Sequence, residues 1–150
     1  MSQSLSQIIV HGVYSTKNRT PWLDEELRKS LFAYLATILK SKGHVPILIG
    51  GHDDHIHMLF GLARTESIAD TIKHTKVNSS VWIKEEFENL KDFAWQGGYG
   101  AFSVSYQSIG SAMAYISNQD EHHRKVSFQD EFRQLMAEHG IAIDERYVWD

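Results

Sequence analysis

The amino-acid sequence predicts an α+β fold in which an antiparallel sheet carries helices on one face. Three observations support this prediction. The regular segments follow the order strand, helix, strand, strand, helix, strand; two segments have the apolar spacing of helices; and four residues separate the middle strands, as in a hairpin. This order is that of the ferredoxin-like split βαβ fold. C-terminal helices are expected to follow, within a single domain spanning residues 1–150.

The first half of the chain predicts a strand, a helix and a hairpin. Residues 7–15 are rich in β-branched and aromatic side chains, which favour a strand. Asp24 is a candidate N-cap, and Gly43 a stop signal, for an amphipathic helix. Residues 45–50 and 55–62 are then expected to pair as adjacent strands. The apolar residues at helical spacing are Leu27, Leu31, Leu35, Ile38 and Leu39.

The second half predicts three helices and one strand. Glu66 and Ser67 open a long helix that reaches about Leu90, and residues 98–105 form a strand whose glycines allow close backbone approach. Two helices follow, from Ser108 to about His122 and from Phe128 to His139, with Ser127 as cap and Gly140 as stop. Residues 141–150 give no clear prediction.

The composition is that of an ordinary globular protein, with 42% hydrophobic and 23% charged residues. No apolar run is long enough to cross a membrane, and the polar start does not resemble a secretory signal, so no membrane partner is expected. The absence of cysteine fits a cytoplasmic location. A net charge of -4 provides no overall attraction to phosphate, so any nucleic-acid contact requires a local basic patch.

The segment "GHDDHIHMLF" (51–60) concentrates histidines in a predicted strand. Because side chains alternate along a strand, His55 and His57 share one face, roughly 6.5 Å apart along the backbone. Two imidazoles at that separation can converge on one cation, and further oxygen ligands would suit magnesium or manganese. The alternative is that one histidine is exposed and the other simply packs in the core.

The helix predicted from Ser108 carries a tyrosine beside its apolar face. Tyr115 and Gln119 are four residues apart and therefore adjacent on a helix. They lie on a neighbouring face to the apolar stripe, which suggests a role beyond packing. The alternative is a tyrosine that packs at the edge of the core with its hydroxyl at the rim. The apolar stripe consists of Ile109, Ala112, Met113 and Ile116.

"DHIHMLF" resembles the HUH motif, and "YISNQ" resembles the tyrosine helix of single-tyrosine HUH transposases of bacterial insertion sequences, including their REP-associated relatives. The resemblance implies that His55, His57 and Gln119 bind a divalent metal, Mg²⁺ or Mn²⁺, and that Tyr115 is the nucleophile. It also implies a homodimer that cuts single-stranded DNA next to hairpins. Such enzymes form a covalent 5′-phosphotyrosine and release a 3′-hydroxyl. Assembly of the site within one chain or between two remains open.

A basic track is predicted on the second long helix. Its polar residues fall on one side at three-to-four-residue spacing, and a further arginine ends the histidine strand, so the track would lie beside the metal. The alternative is an ordinary solvated helix face. The predicted DNA-binding residues are Arg64, Lys73, Lys76, Ser80 and Lys84.

The sequence leaves the proton acceptor and some functional alternatives open. Candidate bases near the motifs are His52, Asp53, Asp54 and His122. One rival function is a domesticated protein that nicks or binds repeated hairpins without mobility. Another is a small metallohydrolase in which the histidines activate water and Tyr115 is structural. A third is a non-catalytic interaction domain.

Overall fold

The computed structural model describes residues 2–150, which contain four strands and five α-helices. Their order confirms the predicted sequence of elements. The elements are β1 (Ile9–Ser15), α1 (Glu25–Ser41), β2 (Val45–Gly51), β3 (His55–Gly61), α2 (Ile68–Glu86), β4 (Gly100–Val104), α3 (Ile109–Ser117), α4 (Gln119–His122) and α5 (Phe128–Glu138).

The four strands form one antiparallel sheet in the order β2-β3-β1-β4. β3 and β1 are central, and Val13 of β1 pairs with His57 of β3. β2 pairs with β3 as the expected hairpin, and β4 pairs with the other side of β1. This arrangement confirms the α+β, split βαβ fold class.

Local capping explains where several helices begin and end. Asp24, Ser67 and Ser127 each accept a hydrogen bond from the backbone N–H three residues later, at 2.8 to 3.2 Å. Gly43 and Gly140 follow helix ends with φ angles of 87° and 67°, a left-handed conformation that glycine adopts without steric penalty. All five positions were identifiable from the sequence.

Two predicted helices are shorter than expected. The helix predicted to reach Leu90 ends at Glu86, because Phe87 is extended, and a separate 3₁₀ turn follows. The helix predicted from Ser108 to about His122 is divided into α3 and α4. At the break, Asn118 has a ψ of 22° and its N–H bonds to the Tyr115 carbonyl three residues back. Asparagine favours such a break because it is a weak helix former.

The helices cover both faces of the sheet. α1 and α2 pack on the face formed by Ile56, Met58 and Phe60, where they bury a large apolar core. α3 and α5 pack on the opposite face through separate, smaller clusters. The C-terminal helices therefore enclose the face that carries His55 and His57. The apolar residues of α1 in the core are Leu27, Leu31, Leu35, Ile38 and Leu39, as predicted.

Within residues 2–150, none of the helices is both long enough and apolar enough to cross a bilayer.

Candidate active site

His55 and His57 lie side by side on the face of β3 that is covered by the C-terminal helices. Both side chains are fully buried, and their ring centroids are 5.1 Å apart. The alternative in which one of the histidines is exposed is therefore wrong. Because buried imidazoles need polar partners, the groups around these two rings indicate what the site can do.

His55 is oriented by the residue that precedes β3. Its Nδ1 lies 2.7 Å from a carboxylate oxygen of Asp54, which accepts the Nδ1 hydrogen. The other ring nitrogen, Nε2, then points into the site, 2.9 Å from Oε1 of Gln119 and 3.4 Å from Oε1 of Glu131. A carboxylate that fixes the second nitrogen of an imidazole is the usual support for a metal-binding histidine.

His57 is held by a histidine on the neighbouring strand. Its Nδ1 lies 2.8 Å from Nε2 of His11, and its Nε2 lies 3.2 Å from Oε1 of Glu131. Burial lowers the pKa of His57 to about 4 and that of His11 to about 3. Both rings are therefore neutral at pH 7, which is the form in which an imidazole binds a metal.

Glu131 of α5 is the carboxylate at the centre of the site, and it is only 2% exposed. Its Oε1 faces His57 and lies 3.1 Å from Nε2 of His123, while its Oε2 faces Tyr115. Burial by itself raises the pKa of this carboxyl group. Hydrogen bonds from His123 and His57 outweigh burial and hold the pKa well below its usual range. Glu131 is therefore ionised.

Tyr115 of α3 reaches the same group of side chains from the side. Its hydroxyl donates a hydrogen bond to Oε2 of Glu131, and its ring meets the ring of His57 edge-on, with centroids 5.7 Å apart. Burial, followed by the negative charge of Glu131, raises the pKa of the phenol above its usual value. The hydroxyl is thus kept protonated with its hydrogen directed at a carboxylate.

Gln119 and His123 complete the cluster from α4 and its C-terminal cap. Gln119 is buried, and its Oε1 lies 2.9 Å from Nε2 of both His55 and His123. Its Nε2 donates to Oε2 of Glu131 at 3.2 Å. The ring of His123 is oriented by a 2.7 Å hydrogen bond from Nδ1 to the carbonyl of Val126. The break at Asn118 turns Gln119 inward, so Gln119 and Tyr115 enter the site from two different helices.

The donor atoms suit a divalent cation. His55, His57 and Glu131 each offer a ligand atom, and these atoms lie within 4.8 Å of one another. Oε1 of Gln119 and Nε2 of His123 stand 2.9 to 3.1 Å from members of this set. Ligands about 2.1 Å from an octahedral ion are separated from adjacent ligands by about 3 Å. Mixed imidazole and oxygen donors are compatible with Mn²⁺ and, less strongly, with Mg²⁺.

Of the four residues considered as proton acceptors, two are hydrogen-bonded to other side chains. Asp54 accepts from His55, and His52 lies 2.7 Å from Asp120. His122 is nearest to the tyrosine: its ring centroid is 5.7 Å from that of Tyr115. The Nε2 of His122 is buried, lies 3.3 Å from Oε2 of Glu131 and makes no hydrogen bond with any of residues 2–150. The fourth, Asp53, is about half-exposed and lies 4.0 Å from His52.

The predicted basic track does not lie beside the histidines. α2 packs on the opposite face of the sheet, where Ile72 contacts the apolar core. Lys73 and Arg64 are exposed, but Lys76 folds back so that its Nζ donates to the carbonyls of Gln96 and Gly98 at 2.8 and 2.7 Å. Burial lowers the pKa of Lys76 to about 8. DNA binding by Arg64, Lys73, Lys76, Ser80 and Lys84 remains a prediction, whereas their position beside the metal site is wrong.

Sequence reasoning missed Glu131, His123 and His11. For Glu131 a signal exists, because this acid lies within the apolar stripe of α5 and not on its polar face. An ionisable side chain in such a stripe must find polar partners when the helix packs. The stripe consists of Phe128, Phe132, Leu135 and Met136. The sequence around His11 and around His123 gives no signal of a functional role. Only the contacts of these residues in the folded protein place them at the site.

Comparisons with known proteins identify a family and two solved structures with a similar fold. The family described as "Transposase IS200 like" matches residues 4–119. A crystal structure assigned as a transposase from Deinococcus radiodurans R1 is 24% identical, with a TM-score of 0.65 over 79% of this chain and 98% of that one. A REP-associated tyrosine transposase bound to a REP hairpin is 14% identical, with a TM-score of 0.60 over 84% of this chain and 76% of that one. At these identities the two structures establish a shared fold. No curated protein matches the chain.

Proposed function

This chain belongs to the family of IS200-like transposases, and from that premise we propose that it cleaves and rejoins single-stranded DNA through a covalent 5′-phosphotyrosine at Tyr115. The DNA ends would contain hairpins, and the reaction would require a divalent metal. The observation that carries this proposal is the hydrogen bond from the Tyr115 hydroxyl to Glu131, a carboxylate that also faces His55 and His57.

The metal would be held by His55, His57 and Glu131, with Gln119 and His123 as further donors. When bound, a divalent cation polarises a phosphoryl oxygen and offsets the charge that accumulates during displacement. The protein contributes orientation. Asp54 fixes the ring of His55, His11 fixes the ring of His57, and the surrounding helices exclude bulk water from both.

Tyr115 would act as the nucleophile on the scissile phosphodiester. A bond forms between its phenolic oxygen and phosphorus, while the bond from phosphorus to the 3′ oxygen breaks. The phenolic proton passes to Oε2 of Glu131, which already accepts its hydrogen bond. Because the environment raises the pKa of Tyr115, proton transfer is expected to accompany attack and not to precede it. The leaving 3′ oxygen takes up a proton from solvent water.

Rejoining would be the reverse displacement by a 3′-hydroxyl. That oxygen attacks the phosphotyrosine phosphorus and gives its proton to solvent water, the bond to Tyr115 breaks, and Glu131 returns a proton to the phenolate. The covalent intermediate retains the bond energy that a hydrolytic nuclease would lose. The rival metallohydrolase function gives no role to the Tyr115 hydroxyl, whereas here the hydroxyl is hydrogen-bonded inside the histidine cluster.

The proposed DNA partner is a hairpin with a single-stranded flank. Support comes from the fold shared with a REP-associated tyrosine transposase that was solved bound to a REP hairpin. A homodimer is also proposed, on the family resemblance. The contact between Tyr115 and the histidines of its own chain supports assembly of each site within one protomer. A dimer would then serve to pair two DNA ends and not to complete the chemistry.

The decisive experiment is detection of a protein–DNA adduct on denaturing gels. A library of labelled hairpins with randomised single-stranded flanks is incubated with the protein and Mg²⁺ or Mn²⁺. The wild type is expected to form an adduct, and Tyr115→Phe to form none, because phenylalanine lacks the attacking oxygen. Tyr106→Phe is the matched control, since Tyr106 is 68% exposed. Equal adduct formation by Tyr115→Phe and wild type would disprove the tyrosine mechanism.

A further inference from the structure

A cavity of about 600 Å³ opens next to Tyr115, bounded by α3, β4 and α5. This volume is within the roughly 300–1,000 Å³ typical of small-molecule sites. None of the steps described above uses the cavity. Its walls combine serine hydroxyls with aromatic and aliphatic side chains, chiefly Phe102, Ser105, Ser108, Ser111, Leu135 and His139.

The cavity is continuous with the reaction centre. Tyr115 forms part of its wall while its hydroxyl reaches Glu131, so the nucleotide joined to the attacked phosphate must lie close to the opening. His11 also lines the cavity, and its Nε2 lies 2.8 Å from Nδ1 of His57. A group that enters the cavity would therefore contact both the nucleophile and the residue that orients a proposed metal ligand.

The charge of the lining selects the kind of group that fits. Among the described residues that form the walls there is no lysine or arginine, and Glu138 contributes a negative charge. A phosphate group would meet repulsion there without compensation. An uncharged nucleobase would not, and its edge can both donate to and accept from serine hydroxyls.

The shape of the lining also favours a planar, partly apolar ligand. Phe102 and His139 stack with ring centroids 4.3 Å apart and an interplanar angle of 29°, and they form one aromatic wall. Ser108, the N-cap residue of α3, and Ser111, within α3, also line the cavity, one to two turns before Tyr115. Unpaired bases are commonly bound by aromatic contacts on a face and hydrogen bonds on an edge.

We propose that this cavity binds one unpaired nucleobase of the DNA strand, from a nucleotide that flanks the scissile phosphate. The proposal rests on the strand-cleavage function above and makes Ser108 and Ser111 specificity-determining residues. The base in the cavity would anchor the strand so that the phosphate lies against the Tyr115 hydroxyl. Discrimination between cleavage sequences would then depend on one base read by the protein outside the hairpin.

The test begins with the position of cleavage, which is found by sequencing the DNA covalently attached to the wild-type protein in the hairpin library. Each nucleotide within two positions of that site is then replaced singly by an abasic residue. One replacement is expected to lower kcat/KM by about tenfold or more, as loss of a stacked base does elsewhere. Abasic replacements at the other positions should have smaller effects.

A cavity-filling variant identifies where that base binds. Ser111→Leu projects a larger side chain into the cavity from an exposed helical position. This variant should cleave the intact strand more slowly than the wild type does, by a similar factor. It should cleave the strand with an abasic residue at the sensitive position as fast as the wild type does. Mn²⁺ affinity, measured by calorimetry, should be unchanged. Ser30→Leu, an exposed serine on α1 across the sheet, is the matched control and should behave as wild type.

The outcomes separate the two proposals. Adduct formation by the wild type with no sensitive abasic position would overturn the base-binding cavity and leave the tyrosine mechanism intact. If Ser111→Leu impaired the abasic and intact strands equally, the cavity would bind the sugar–phosphate backbone or affect Tyr115 directly, and the inference would again fail. Absence of any adduct with the wild type would overturn the proposed function and this inference together.

Discussion

The two faces of β3 use neighbouring residues for opposite purposes. Ile56, Met58 and Phe60 pack against α1 and α2 in a continuous apolar core. His55 and His57, which alternate with them, point to the other face and meet a buried carboxylate. Burying apolar surface stabilises the fold, whereas burying imidazoles and a carboxylate costs free energy unless they are paired. The free energy gained by burying the apolar face therefore offsets the free-energy cost of burying the polar groups on the other face.

The comparison predicts that substitutions at neighbouring residues of β3 affect different properties, namely cleavage and metal binding on one face and stability on the other. His57→Ala should abolish cleavage and lower Mn²⁺ affinity by more than the roughly 10–100-fold that loss of a second-shell partner costs. Met58→Ala should lower the free energy of unfolding by about 2–5 kcal/mol, because it leaves a cavity in the core. Calorimetry with Mn²⁺ and urea unfolding of both variants provide the measurements. Unaltered metal dependence in His57→Ala would remove His57 from the site.

Glu131 tests whether the polar face needs a charge or only a hydrogen-bonding group. Glu131→Gln keeps the size of the side chain but removes the proton acceptor for Tyr115, so the single-turnover cleavage rate should fall by about 10²–10⁴-fold. Mn²⁺ affinity should fall as well, since a carboxylate is replaced by an amide. Asp130→Asn, which alters an exposed acid next to Glu131 on the same helix, is the control. Near-normal cleavage by Glu131→Gln would place the proton acceptor elsewhere, with His122 the nearest candidate.

A pair of glycines tests how closely the polar face must be packed. A Cβ on Gly50 would lie 2.7 Å from the side chain of Ile116 and 2.8 Å from its carbonyl oxygen, so β2 and α3 would have to separate. Gly50→Ala should therefore destabilise the protein by about 1–3 kcal/mol and slow cleavage, because Tyr115 precedes Ile116.

Gly110 is the matched position on α3 itself, where an added Cβ meets nothing within 4 Å. Gly110→Ala should stabilise the protein by about 0.5–1 kcal/mol, through the higher helix propensity of alanine. Urea unfolding and cleavage rates of the two alanine variants check both statements. Equal stability of the two variants would show that the contact between β2 and α3 is not tight.

The smallest effects are expected on α2, on the far side of the sheet. Lys73→Ala should weaken DNA binding modestly and reduce the salt slope by about one, if Lys73 contacts a phosphate. Lys76→Ala should chiefly lower stability, by about 1 kcal/mol, because its ammonium group bonds to backbone carbonyls. Binding isotherms at several salt concentrations distinguish the two. An unchanged salt slope in a protein that carries both Lys73→Ala and Lys76→Ala would place the DNA path on another surface.

The sequence predicted the periodic features of this protein well. Alternation along β3 placed His55 and His57 on one face, and helical spacing identified the buried side of α1. Caps at Asp24, Ser67 and Ser127 located three helix starts. These features depend on interactions within a few residues, so they can be inferred from local spacing. The proximity of Tyr115 and Gln119 to the histidines was inferred from family resemblance, and the geometry agrees with it.

The fold class, the histidine pair and the tyrosine were thus determined by the sequence itself. Only the tertiary structure decided that Glu131 supplies the central carboxylate, that His11 and His123 join it, and that α2 lies on the far side of the sheet. The physical reason is the range of the interactions. Periodicity fixes which face of an element a side chain occupies, whereas the packing of elements distant in sequence fixes what that face meets.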